Sequence, residues 1–209
     1  MARNILKLGA LDAHKTAFLL CDLQETFRPH IKHFGEIVKV ANKMIEAAKA
    51  FNIPLYVSEQ YPKGLGHTIK EIDIKDAKLV YPKTKFSMFT PELQEKLKAD
   101  LPDLKSVVLF GIEAHVCIEQ TVIDFLNEDI TVHVLADGVS SRSLMDRSLA
   151  LQRLNSIGCF VGTSENVLFK LLRDKNNPVF KPISKLNMQP TPDEFGQGNL
   201  NKLKSIKYI

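Results

Sequence analysis

Three reactive side chains sit where short apolar runs end. Residues 16–21 run into Asp22, residues 107–110 lead through Gly111 to Cys117, and residues 79–81 lead to Lys83, with Lys85 two positions on. A carboxylate, an ammonium and a thiol form a coherent chemical set. The ammonium stabilises a thiolate, and the carboxylate accepts the thiol proton and later activates water. Such a thiolate attacks a carbonyl and gives a thioester, while backbone N–H groups of the turn over residues 111–117 can hold the oxyanion. Each residue also has a plainer reading. Cys117 alone reads equally well as a small core residue, and Asp22 as a cap or turn residue. Lys83, Lys85 and Ser87 alternate, so in extended chain they point the same way and either lysine qualifies.

The elements that must position these groups alternate in type. Strands are expected over residues 16–22, 53–58, 79–82, 107–110, 130–135 and 159–162, each a short run rich in apolar residues. Between them lie helical stripes. The first carries Ile37, Val40, Ala41, Met44, Ile45, Ala48 and Phe51 inward, with Lys39, Asn42, Lys43 and Glu46 on its wet side. Thr90, Ser143 and Thr163 are placed to cap the helices that follow them, and Ile118, Val122, Phe125 and Leu126 mark the helix after Cys117. Gly111 permits a backbone geometry closed to other residues. Strand–helix alternation with ordinary crossovers predicts one α/β domain, a three-layer Rossmann-like sandwich with a mostly parallel, doubly covered sheet. Ligands then bind at the carboxyl ends of the strands, where Asp22 falls. The loop over residues 58–66, with Glu59, Tyr61 and two glycines, reads either as a pocket wall or as an inert surface loop. Residues 1–176 form the expected domain, and residues 177–209, rich in Pro, Asn, Gln and Lys, an extended tail, either packed on the body or a neighbouring subunit or mobile.

Composition narrows the function further. The net charge is +4, of which +3 lies in residues 181–209, so the body is close to neutral and lacks the footprint of a nucleic-acid-binding domain. No apolar run approaches a membrane span, and the first residues lack the pattern of a secretory signal. The expected compartment is the cytoplasm, with a mitochondrial association left open by two basic residues among the first seven. Three cysteines without a CxxC pair suit a reducing compartment, and Cys21 and Cys159, inside apolar strands, read as packing residues. With no HExxH pair and the six histidines scattered along the chain, no metal site and no cofactor is expected.

Together the pieces Asp22-Leu-Gln-Glu-Thr-Phe27, Lys83-Thr-Lys-Phe-Ser-Met-Phe89 and Gly111-Ile-Glu-Ala-His-Val-Cys117-Ile-Glu-Gln-Thr121 are recognisable. From about residue 10 to about residue 175 the chain resembles the isochorismatase-like cysteine hydrolases, the group that includes nicotinamidases and carbamoylsarcosine amidohydrolase-type enzymes. Residues 58–66 and Gly162-Thr-Ser-Glu165 resemble the isochorismatase domain-containing protein 2 subgroup. The resemblance implies an Asp22–Lys83–Cys117 triad with Cys117 as nucleophile and Asp22 as general base. It selects Lys83 because the family's lysine lies four residues before the serine of its Ser-x-Phe pair, here Ser87. It also implies a cis peptide between Ile112 and Glu113 that turns the Glu113 N–H toward the Cys117 N–H, the two forming an oxyanion hole. Family members are commonly oligomeric, so a homo-oligomer acting on a small-molecule substrate is implied.

Two departures sharpen the expectation. The Asp-x-His metal pair of nicotinamidases is missing, since the loop over residues 58–66 holds no histidine before His67. Isochorismatases proper act on an enol ether without a cysteine nucleophile, so Cys117 points to an amide or related carbonyl. Phe27, Glu59, Tyr61, Phe89 and His115 are the candidate pocket residues; aromatic residues more often serve the core, and for His115 a structural role is the safer reading. Two other readings remain: a scaffold with an unused triad, and a ribonuclease-type activity, against which the near-neutral body argues.

Overall fold

The computed structural model describes residues 8–189. Six strands form one sheet: β1 (Thr16–Cys21), β2 (Leu55–Gln60), β3 (Leu79–Lys83), β4 (Ser106–Ile112), β5 (Thr131–Ser140) and β6 (Phe160–Gly162). Their order is β3-β2-β1-β4-β5-β6, and every pairing is parallel. The helices are α1 (Phe34–Phe51), the single turn α2 (Pro62–Leu65), α3 (Pro91–Asp100), α4 (Glu119–Asn127), α5 (Leu144–Ser156), α6 (Ser164–Leu172) and α7 (Phe180–Asn187). Thr90, Ser143 and Thr163 each accept a backbone N–H three residues on, as capping residues do.

Alternation along the strands builds two cores. Phe18 and Leu20 of β1 join Val57, Val108 and Phe110 beneath α1, α6 and α7. Ala17, Leu19 and Cys21 join Tyr56, Val107 and Leu109 against Leu93 and Leu97 of α3, Val122 and Phe125 of α4, and Leu151 and Leu154 of α5. A sheet buried on both faces needs strands apolar at every position, and β1 and β4 are buried throughout. The expected three-layer α/β architecture is thus present.

Several local expectations differ from the structure, among them the strand expected to end at residue 135, which runs on to Ser140, and the one expected over residues 53–58, which spans Leu55–Gln60. The strand expected to stop at residue 110 continues through Gly111 to Ile112. Gly111 adopts a φ of 118°, and a Cβ there would lie 2.1 Å from the Cys21 carbonyl oxygen, so only glycine lets β4 pass this close to β1. Lys43, placed on the wet side of α1, is buried, because α6 and α7 fold back onto that helix. The tail expected to be extended from residue 177 contains a helix, α7, and of the placements open to it this part packs on the body, with Ile183 fully buried against α1 and α6. The remainder of that expectation, residues 190–209, lies outside the described residues. Among the described residues no helix is long and apolar enough to cross a membrane.

Candidate active site

The strand order reverses between β1 and β4, which opens a crevice at their carboxyl ends. Asp22 follows β1 directly, and Cys117 lies one turn beyond β4. Asp22 leaves the strand with a φ of 50°, a left-handed conformation to which Asp is better suited than most residues. That turn breaks the strand alternation, so the Asp22 carboxylate shares one space with Cys21 instead of pointing to the opposite face. The Cys21 thiol donates to Asp22 Oδ2 at 3.4 Å.

Lys83 ends β3, two strands from β1, a gap of roughly 10 Å at ordinary strand spacing. Only a long side chain spans it, and Lys83 Nζ reaches Asp22 Oδ2 at 2.7 Å. The two side chains are 0% and 2% exposed. Between them β2 presents Ser58 and Gln60, two positions apart and so on one face of the strand. The Ser58 hydroxyl donates to Asp22 Oδ1 at 2.7 Å, and Gln60 Oε1 accepts from Lys83 Nζ at 2.6 Å. Lys83 also donates to the Phe86 carbonyl at 2.9 Å. Burial alone would lower the Lys83 ammonium, but Cys21, Asp22 and Cys117 around it outweigh burial and raise it above its ordinary value. Lys85 does not share this site: β3 stops at Lys83, the alternation expected over residues 83–87 is lost, and Lys85 turns out to Asp124 at 2.9 Å.

Cys117 lies in a π-helical turn (Ala114–Ile118) that feeds into α4. Wide turns of this kind recur at functional sites. Cys117 is 7% exposed, and its sulfur, the Cys21 sulfur and an Asp22 carboxylate oxygen all lie within 4.8 Å of one another. The Ile112–Glu113 peptide is cis. Thr121 fastens the turn from below: its hydroxyl donates to the Cys117 carbonyl at 2.6 Å and accepts the Met88 N–H at 2.8 Å. One residue thereby joins the Cys117 turn to the loop that follows Lys83. Cys21, Asp22 and Cys117 are the group that could converge on a cation among the described residues, but the Lys83 ammonium already holds the cationic position beside that carboxylate.

The expected pocket residues are dispersed around this centre. Glu59 points to the opposite face of β2 from Ser58 and binds the Thr68 N–H and hydroxyl at 2.7 and 2.9 Å and the His67 ring at 2.8 Å. Burial would raise Glu59, but those donors outweigh it and hold its carboxyl below its ordinary value. Tyr61 is 53% exposed at the start of α2. Phe27 is half-buried against the α1 core, and Phe89 packs on the Phe125 ring with centroids 4.7 Å apart. His115 pairs with the Ser141 hydroxyl at 2.9 Å, and Glu113 accepts the Arg142 N–H at 3.0 Å. Gln24, not singled out in the sequence, closes the loop over residues 58–66 by donating to the Gln60 and Gly66 carbonyls at 2.9 and 2.6 Å. Ser58 and Gln60 were legible in principle, because period-two alternation puts them on one face beside the register partner Lys83.

Comparison with known proteins places the chain in a family and on a known fold. The isochorismatase domain family matches residues 16–166. The chain is 50% identical to isochorismatase domain-containing protein 1 of Danio rerio over 91% of this chain and 67% of that protein. It is 47% identical to isochorismatase domain-containing protein 2 of Xenopus laevis over 91% and 92% of the two chains. A solved structure described as MAR1 ribonuclease from Caenorhabditis elegans superposes with a TM-score of 0.83 at 40% identity, covering 88% of this chain and 95% of that one. With the family match over residues 16–166 and relatives 50% and 47% identical over 91% of this chain, the chain belongs to the isochorismatase family.

Proposed function

We propose that the protein hydrolyses an amide or related carbonyl of a small molecule through a thioester on Cys117. The observation that carries this reading is the buried Lys83–Asp22 pair, with the Cys117 sulfur within 4.8 Å of the carboxylate. Asp22 takes the Cys117 proton as the sulfur attacks the carbonyl carbon. The Glu113 and Cys117 N–H groups hold the resulting oxyanion, and Lys83 balances the negative charge as it moves between sulfur and carboxylate. Collapse of the tetrahedral species expels the amine, which takes the proton from Asp22 and leaves a thioester. Asp22 then takes a proton from water, hydroxide adds to the thioester carbonyl, and the acid departs as Cys117 recovers its proton. In this reading Phe27, Tyr61, Phe89 and His115 lie around the centre without forming one wall, and Glu59 acts only by fixing the loop at His67 and Thr68.

Mass spectrometry of the protein incubated with a library of small amides and esters tests the reading. An acyl adduct on Cys117 that disappears in Cys117→Ala, with that variant's melting temperature nearly unchanged, is the expected result. Turnover of a hit by Cys117→Ala at the normal rate would remove Cys117 from the chemistry. A homo-oligomer is part of the proposal, supported by the exposed apolar side chains Ile123, Met145 and Leu149 on α4 and α5, and light scattering of the purified chain reads it directly.

The ribonuclease description of a 40% identical relative favours a second reading, RNA cleavage. The near-neutral charge of residues 1–180 weighs against it. RNA binding that weakens steeply with salt and survives removal of residues 190–209 would move the weight to that reading.

A further inference from the structure

Cys21 has no part in the reaction just described, yet its sulfur faces the proposed nucleophile. We propose that Cys21 is a resolving thiol, so that a hydroperoxide converts the site to a reversible Cys21–Cys117 disulfide. The inference rests on the reading of Cys117 as the reactive thiol.

The two sulfurs lie within 4.8 Å of one another, on the same face of the sheet and in the same core. Reaching the ~2.05 Å of an S–S bond requires an approach of under ~3 Å. Cys117 sits on a turn, where rotation about its Cα–Cβ bond swings the sulfur; Cys21 is held at the last position of β1. Exposure orders the events. Cys117 is 7% exposed and Cys21 0%, so the oxidant meets Cys117 first. Burial, with Cys117 and Asp22 beside it, raises the Cys21 thiol well above its ordinary value, which keeps it protonated while Cys117 reacts. A proton acceptor is already in place, since the Cys21 S–H points at Asp22 Oδ2 from 3.4 Å.

The chemistry balances in two steps. The Cys117 sulfur displaces one oxygen of the hydroperoxide, forming an S–O bond and breaking the O–O bond; Cys117 becomes a sulfenic acid and the peroxide leaves as water or an alcohol. Cys21 gives its proton to Asp22 and attacks the Cys117 sulfur, forming the S–S bond, and hydroxide leaves with that proton as water. Two thiols are oxidised by two electrons and one hydroperoxide is reduced. A dithiol reductant reverses the change. Cys159, whose thiol burial pushes up to about 12 and which donates to the Val132 carbonyl at 3.4 Å, is the internal control.

The full chain is treated with hydrogen peroxide at neutral pH, alkylated, and mapped by mass spectrometry without reduction. Before alkylation the oxidised chain should be lighter by about 2 Da; the map should then contain a Cys21–Cys117 linked peptide, show Cys159 unoxidised, and regain Cys117 alkylation after dithiothreitol. In Cys21→Ser the same treatment should add about 32 Da to Cys117, beyond rescue by dithiothreitol. The wild-type map decides the matter even if that variant folds poorly. Alkylation of untreated protein separates the two claims. Fast labelling of Cys117 together with a sulfinic Cys117 and a free Cys21 after peroxide overturns the disulfide alone. Labelling of Cys117 no faster than Cys159, with no disulfide, overturns the nucleophile reading as well.

Discussion

Lys83 and Lys43 are equally buried, each 4% exposed, yet they occupy opposite electrostatic settings. Lys83 meets Asp22 at 2.7 Å and Gln60 at 2.6 Å, and its ammonium is raised. Lys43, on α1 toward Asp137 and Glu165, has no hydrogen-bond partner for Nζ, and burial lowers it. Asp137 is already engaged by the N–H and hydroxyl of Ser164 at 2.8 and 2.6 Å. Burial alone therefore does not define a site. What distinguishes the crevice is a charge whose partner is aimed at it, beside a thiol.

The largest expected effect separates the two lysines. Lys83→Met leaves the Asp22 carboxylate buried without its cation and should cost about 3–5 kcal/mol of unfolding free energy, with loss of turnover. Lys43→Met removes a buried ammonium that lacks a partner and should be neutral or stabilising, by up to about 2 kcal/mol. Chemical denaturation of both variants checks the difference in sign. Equal destabilisation by the two would erase the contrast.

Ser58→Ala is the intermediate case. It removes a 2.7 Å donor to Asp22 while leaving the ion pair, so a loss of about 1.5–3 kcal/mol is expected. If Ser58 positions the carboxylate for proton transfer, the variant should also shift the acid limb of the pH–rate profile, which a merely structural residue would leave in place.

The smallest effect is one of pH. The folded value of Lys83 lies above the ordinary 10.5, so its stabilisation is complete below 10.5 and fades as pH climbs through the folded value. The folded value of Lys43 lies below 10.5, so its charged form costs stability below that folded value, and the cost lifts as pH rises toward 10.5. The stability gap between Lys43→Met and wild type should therefore narrow as pH is raised toward 10.5. A constant gap would count against a charged Lys43 in the fold.

Local sequence carried much of this. Short apolar runs before Asp22 and before the Gly111 turn marked the strands and put Asp22 and Cys117 near strand ends, because hydrophobic periodicity is a local property; the strand order that brings the two ends together was not legible. The two lysines after residue 82 could not be told apart by alternation, since the strand ends at Lys83 and the chain bends beyond it. Lys43 looked solvent-facing because its cover, α6 and α7, comes from more than 120 positions later in the chain. Cys21, read as packing from its place inside an apolar strand, is indeed in the core, but its nearness to Asp22 was not legible, because alternation would put neighbouring residues on opposite faces and the left-handed backbone of Asp22 breaks that rule. Glu59 fell within a pocket-like loop, but its role is set by His67 and Thr68, which only the folded loop brings to it.

The central claim, that the buried Asp22–Lys83 pair makes Cys117 the reactive thiol, is tested most directly by competitive alkylation. Native protein is treated with limiting iodoacetamide at neutral pH, and labelling of Cys21, Cys117 and Cys159 is followed by peptide mass spectrometry. Cys117 should label at least ~10-fold faster than the other two and lose most of that advantage in Lys83→Met. Equal, slow labelling of all three cysteines in the wild-type chain would contradict the account.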